Sequence, residues 1–242
     1  MVISSLENNK IKDLVKLQNK KYRDLTNTFI VETPHLVEEA LKSNIVKEIF
    51  LLENESFSCD KPITYVTEEV MKKITTMDTP SMIIALCEKK NSNEIIGNKI
   101  LLLDNIQDPG NLGTIIRSSL AFNIDTIILS NDTVDLYNPK VLRSTQGMFS
   151  HINIITMDLV HAINELKEKN IVVYGTNVND GVDVRSIEDK TSFALIMGNE
   201  GNGVRKEIQD MCDKNLYIKM NSNAESLNVA VACSILLYEL GR

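Results

Sequence analysis

Apolar residues in the last 145 positions or so gather in short, mostly apolar runs of three to five: 100–103, 126–129, 152–155, 171–174, 193–197 and 216–218. Between these runs, and after the last of them, the spacing changes to that of helices, near 113–122, 159–169 and 225–240. Short apolar strands separated by helices predict a parallel sheet covered on both faces. The first part of the chain alternates less regularly. A helix is expected over 6–17, with Leu6, Ile11, Leu14, Val15 and Leu17 on its apolar side, followed by a strand at 29–31. Pro34 suits the first turn of a helix reaching 41. Strands are expected at 46–52, 63–66 and 83–87, with a helix over 68–74. The polar stretch 88–93 reads as a linker, which divides the chain into domains at 1–92 and 98–242. A chain of 242 residues suits one large or two modest domains.

Composition excludes several classes. No apolar run approaches the ~20 residues that span a bilayer, and the start lacks a secretory signal pattern. Cys59, Cys87, Cys212 and Cys233 are scattered without a CxxC pair, and His35, His151 and His161 are equally dispersed. A metal site is therefore not expected, and reduced thiols point to a cytoplasmic protein. The net charge of −7 opposes broad attraction to nucleic acid. Locally, however, residues 1–23 place Lys10, Lys12, Lys16, Lys20, Lys21 and Arg23 against only Glu7 and Asp13. Lys10, Lys20 and Arg23 are candidates for an RNA-binding face, although a solvated helix side would look the same.

Three segments carry candidate chemistry, each at the end of an expected strand. The first, Asp108-Pro109-Gly110-Asn111-Leu112-Gly113-Thr114-Ile115-Ile116-Arg117, turns at Pro109 and Gly110 and enters a helix, the place where α/β proteins hold anionic ligands. The second, Gly198-Asn199-Glu200-Gly201-Asn202-Gly203, fits neither a dinucleotide fingerprint nor a P-loop. Its Glu200 needs a partner if held at a buried strand end, and Arg117 is the candidate. The third runs from Ile218 to Ala232, and small residues crowd the helix that follows (Ala230, Ala232, Cys233, Ser234). Asn111 and Ser226 also suit helix capping, and Glu200 suits a structural ion pair. After the strand at 126–129, Lys140 and Arg143 are candidates for RNA phosphates, or members of a solvated loop.

In this order, the three segments resemble the signature motifs of the SpoU family, ribose 2′-O-methyltransferases of the SPOUT superfamily. The first part, with Phe29-Ile30-Val31-Glu32 and Val37-Glu38-Glu39-Ala40-Leu41, resembles the substrate-binding domain that precedes the catalytic domain in many members and is itself similar to RNA-binding ribosomal proteins. The resemblance implies an α/β fold with a deep C-terminal trefoil knot, a smaller N-terminal α/β domain, a homodimer, and S-adenosyl-L-methionine as cofactor. It implies cofactor contacts at Thr176, Asn177, Gly198, Asn199, Gly203, Ile218, Met220 and Leu227. It implies catalytic roles for Arg117, Asn111, Glu200, Ser226 and Asn228. Three positions depart from the family pattern: Lys219 stands where Pro is common, Ser222 where Gly is, and Thr33 where Gly usually follows Val-Glu.

The implied reaction is methyl transfer to a ribose 2′-OH, with ribosomal RNA as the expected substrate; transfer RNA and antibiotic-resistance methylation are alternatives. A guanidinium with a pKa above ~12 is a poor base at neutral pH. Arg117 is therefore expected to clamp a phosphate and steady the developing alkoxide, with Glu200 orienting it. A nucleotide-dependent dehydrogenase would place its glycine fingerprint after the first strand, whereas here the glycine-rich loop follows a late one. A catalytically silent RNA-binding relative would have lost Arg117, Glu200 or Asn228, and all three are present.

Overall fold

Short apolar strands in the first part of the chain build a five-stranded sheet, seen in a computed structural model that describes residues 2–90, 92–178 and 181–241. Asn91, in the expected linker, lies outside the described residues. Two compact units are present: Met1–Asn91 with Asp135–Ser150, and Ser92–Val134 with His151–Arg242.

In the first unit the elements are β1 (Val2–Ile3), α1 (Asn9–Lys16), α2 (Lys20–Thr26), β2 (Thr28–Glu32), α3 (Pro34–Lys42), β3 (Val46–Leu52), β4 (Ile63–Val66), α4 (Glu68–Ile74) and β5 (Ile83–Glu88). The strand order is β1-β4-β3-β5-β2. β4 lies parallel to β1 and β3, and β5 runs antiparallel to β3 and β2. One helix was expected over 6–17, but Asn8 caps a shorter α1 and Asn19 starts a separate α2, each accepting a main-chain N–H two residues on. Ile11, Leu14 and Leu17 pack with Ile30, Phe50, Val70 and Met71 in the unit's core.

The second unit begins with β6 (Lys99–Leu103), α5 (Pro109–Ala121) and β7 (Thr126–Leu129). The next helix, α6 (Pro139–Thr145), belongs to the first unit, as does the whole of Asp135–Ser150. Phe29 explains the attachment: Tyr137 and Phe149 pack around its ring, with centroids at 4.5 and 5.8 Å. The division into units is thus not a single cut near residue 92. The second unit continues with β8 (Asn153–Thr156), α7 (Leu159–Glu168), β9 (Val173–Thr176), β10 (Val182–Asp183), β11 (Phe193–Met197), α8 (Lys206–Gln209), β12 (Lys214–Tyr217) and α9 (Val229–Leu240).

Its seven strands are all parallel, in the order β10-β12-β9-β11-β6-β7-β8. Alternation divides the central strands: Ile100, Leu102, Ala194 and Ile196 join α7 residues Leu159, Ile163 and Leu166 in one core. The residues between them, Leu101, Leu103, Leu195 and Met197, are buried as well. From β6 the chain winds one way through β7 and β8, and later strands fill the other side. β6 and β11 therefore flank a topological switch point, the usual position for a ligand crevice.

Candidate active site

Strand register brings the three motifs together. Leu103 pairs with Met197, so the loops leaving β6 and β11 emerge side by side, and Thr176 pairs with Leu216 at the adjoining ends of β9 and β12. The loop after β11 folds back on itself: Asn199 and Gly203 exchange main-chain hydrogen bonds at 3.0 and 2.9 Å. Gly198 lies under that crossing. A Cβ there would come within 2.1 Å of the Gly203 carbonyl carbon and the Val204 nitrogen, so no larger residue fits without moving main chain. Gly203 turns at φ +69°, a conformation that favours glycine.

These loops wall a cavity of about 250 Å³. All eight positions singled out for a cofactor line it: Thr176, Asn177, Gly198, Asn199, Gly203, Ile218, Met220 and Leu227. Glu200 and Ser226, from the catalytic set, line it as well. Apolar Leu216, Val229 and Leu236 complete a wall that is part hydrocarbon and part main chain.

Asn111 and Asn228 join the cavity through Glu200. Asn228 Nδ2 donates to Asn111 Oδ1 at 2.9 Å, and Asn111 Nδ2 donates to Glu200 Oε1 at 3.0 Å. Glu200 also accepts the main-chain N–H of Asp108 at 3.0 Å and of Gln107 at 3.2 Å. Partial burial opposes ionisation of Glu200, but the bonds from Asn111, Asp108, its own N–H and Gln107 together outweigh burial and hold the carboxyl below its ordinary value. Neither asparagine position matches the capping expected of its neighbourhood. Asp108, not Asn111, caps α5, accepting the Asn111 N–H at 2.8 Å. Asn228, rather than Ser226, caps α9 through the N–H groups of Ala230 and Val231, which is why that helix starts at Val229 instead of 225.

One expected pairing is corrected. Glu200 does not orient Arg117: its acceptor sites are taken by the Asn111 amide and main-chain N–H groups. Arg117 is exposed on α5, and its side chain has no hydrogen bond or ion pair among the described residues.

The basic candidates of the first unit also change. Arg23 is 4% exposed; it donates to the carbonyls of Leu17 and Gln18 and pairs with Asp135 at 2.6 Å. Its guanidinium is a structural tie and cannot reach a phosphate from there, so its assignment to RNA binding is withdrawn. Lys10 pairs with Glu48, Lys12 with Glu7, Lys16 with Asp13 and Lys20 with Asp24, which breaks up the apparent basic face into ion pairs. Arg143 donates to Thr76 Oγ1 at 2.8 Å and is partly exposed, while Lys140 is exposed.

Three further positions, which no sequence motif marks, shape the site. Asp104, wholly buried, binds Arg205 through Nε at 2.7 Å. Gln107 steadies the loop before α5 by donating from Nε2 to the Asp132 carbonyl at 2.7 Å. An aspartate directly after an apolar strand was the available signal for Asp104; nothing local marks Gln107 or Arg205.

The chain is similar to known proteins along nearly its whole length. Residues 98–238 match the model of the SpoU rRNA Methylase family, and residues 8–85 that of an MRM3-like substrate binding domain. The 23S rRNA (guanosine(2553)-2′-O)-methyltransferase RlmP of Bacillus subtilis strain 168 is 43% identical over 243 residues, covering 98% of each chain. An rRNA methyltransferase from Sinorhizobium meliloti superimposes with a TM-score of 0.89 at 30% identity, over 99% of this chain and 96% of that one. An AdoMet-bound rRNA methyltransferase structure from the same organism gives 0.86 at 30% identity, over 99% and 97%.

Proposed function

The chain belongs to the SpoU rRNA methylase family, and from that premise we infer that it transfers a methyl group from S-adenosylmethionine to a ribose 2′-OH of ribosomal RNA. The observation that carries this reading is full-length similarity to a 23S rRNA 2′-O-methyltransferase. That similarity also favours ribosomal over transfer RNA. The nucleotide matching guanosine 2553 of the relative is the proposed target.

The cavity fits the cofactor. Gly198, Gly201 and Gly203 bring main chain to the cavity wall, and Leu216, Val229 and Leu236 offer an apolar surface for a purine. When bound, S-adenosylmethionine supplies a sulfonium methyl that is already electrophilic. The remaining work is alignment, which can be worth on the order of 7–11 kcal/mol in well-oriented cases. Asn111 is held at both ends of its amide, by Glu200 and by Asn228, and so presents one fixed orientation at the cavity's edge. Arg117, without a side-chain partner among the described residues, is suited to clamping a phosphate bidentately and steadying the 2′-oxygen as it loses its proton. Ser226, on the cavity wall, is assigned to the same site.

Insertion of β12 between β9 and β10, rather than at an edge, supports a threaded, knotted chain. Val231 and Tyr238 on α9, each more than 40% exposed, support a homodimer. No helix among the described residues is long and apolar enough to cross a membrane, and no cluster of His, Cys, Asp and Glu among them could hold a metal. The cytoplasm, where the RNA substrate resides, is the proposed location. Mapping 2′-O-methyl groups along 23S rRNA from cells with and without the gene tests the proposal. One site should disappear with the gene; an unchanged map would remove ribosomal RNA as the substrate.

A further inference from the structure

The loop that walls the cavity, residues 198–204, is closed at both stems by one residue. The Asp104 N–H donates to the Met197 carbonyl at 2.8 Å, where the loop begins. The Asp104 carboxylate accepts from Arg205 where the loop ends, at 2.8 Å from the main-chain N–H and at 2.7 Å from Nε. Asp104 is wholly buried, whereas the Arg205 side chain is 42% exposed and also reaches Glu207 at 3.3 Å. A buried carboxylate needs a cation or several donors, and Arg205 is the cation in contact with this one. The neighbouring residue repeats the connection: Asn199 Nδ2 donates to the Asn105 carbonyl at 2.8 Å. Two residues further on, the Gln107 N–H holds Glu200.

We propose that Asp104 and Arg205 form a positioning clasp that sets the 198–204 loop, and with it the cofactor wall and Glu200, without either residue touching cofactor or RNA. Neither lines the cavity. The proposal rests on the cavity being the S-adenosylmethionine site. Releasing one stem would let Gly198 and Glu200 drift together, and misplacement near 1 Å can change rates by about a hundredfold. A residue that only stabilises the fold would change the amount of active protein and leave KM alone.

The test uses the full-length protein with Arg205→Ala, which keeps the main-chain bond to Asp104, and Arg205→Lys, which returns a cation without the planar fork. Calorimetric affinity and KM for S-adenosylmethionine are measured beside kcat and affinity for 23S rRNA fragments. For Arg205→Ala, we expect KM to rise about tenfold or more, RNA affinity to stay within twofold, and Arg205→Lys to recover part of the loss. If Arg205→Ala fails to fold, Arg205→Gln, a neutral donor, is read by the same criteria. A folded Arg205→Ala or Arg205→Gln protein with wild-type KM overturns the clasp, as does lost activity that merely tracks the folded fraction. A wild-type protein that binds no S-adenosylmethionine overturns the cavity assignment itself, and the clasp with it.

Discussion

Replacing Gly198 by alanine is the sharpest perturbation available. Its Cβ would meet the Gly203 carbonyl carbon and the Val204 nitrogen at 2.1 Å, where ordinary contact begins at 3.4 Å. The crossing would therefore have to open by about 1.3 Å. Both obstacles are main-chain atoms, and the loop is tied at its stems by Met197–Asp104 and Arg205–Asp104 bonds, so no side chain can swing aside to relieve the clash. Overpacking of this kind costs about 1–3 kcal/mol, or a loss of a few to about ten degrees in Tm for a chain of this size. The larger effect falls on the cavity, since Gly198 is part of its wall. With that cost falling on the wall that holds it, affinity for S-adenosylmethionine should weaken by roughly 5- to 150-fold. Gly203→Ala is the internal comparison: its φ of +69° disfavours a side chain by about 1 kcal/mol, but its Cβ would meet nothing within 4 Å. Isothermal titration calorimetry with thermal denaturation separates the two variants. Near-wild-type affinity in Gly198→Ala, or a larger loss in Gly203→Ala, would refute the steric argument.

Thr33 has φ +90° and ψ 144°, an unusual backbone for a β-branched residue; Thr33→Gly should stabilise the protein by about 1 kcal/mol, and a fall in Tm would contradict this. Arg23→Ala leaves Asp135 without its partner and should cost roughly 3 kcal/mol in chemical denaturation while leaving the RNA affinity of folded protein unchanged; a specific loss of RNA affinity would return Arg23 to the binding surface. The Glu200 carboxyl is held below its ordinary 4.5, so its contribution is complete above that value and is lost as pH falls through the lowered one. Cofactor affinity measured against pH should therefore show no Glu200 step above 4.5, and a carboxylate transition above it that disappears in Glu200→Gln would show the sign to be wrong.

Local pattern was enough where a short apolar run or an amphipathic turn is bounded by polar residues. The strands at 46–52, 63–66, 126–129 and 193–197 and the helix at 68–74 occupy the expected residues. Motif positions were legible for a related reason: each follows directly from a buried strand, and parallel register then aligns the strand ends. Pairings across long separations were not legible. Asp104 and Arg205 lie 101 positions apart. Glu200 was matched to Arg117 by charge, yet a carboxylate is satisfied equally by amide and main-chain N–H donors, which carry no charge to read. Arg23 misled for the converse reason, since a lysine-rich stretch does not reveal which cation is buried. The attachment of Asp135–Ser150 to the first unit depends on Tyr137 and Phe149 meeting Phe29, more than a hundred positions away.

Methyl transfer to a ribose oxygen of ribosomal RNA can be read out directly. Its most direct test is incubation of the purified protein with methyl-labelled S-adenosylmethionine and 23S rRNA, followed by digestion to nucleosides and mass spectrometry. Label is expected in a single 2′-O-methyl nucleoside, abolished when the target carries a 2′-deoxyribose and lost in Arg117→Ala. Label on a base, or label that survives removal of the 2′-OH, would contradict it.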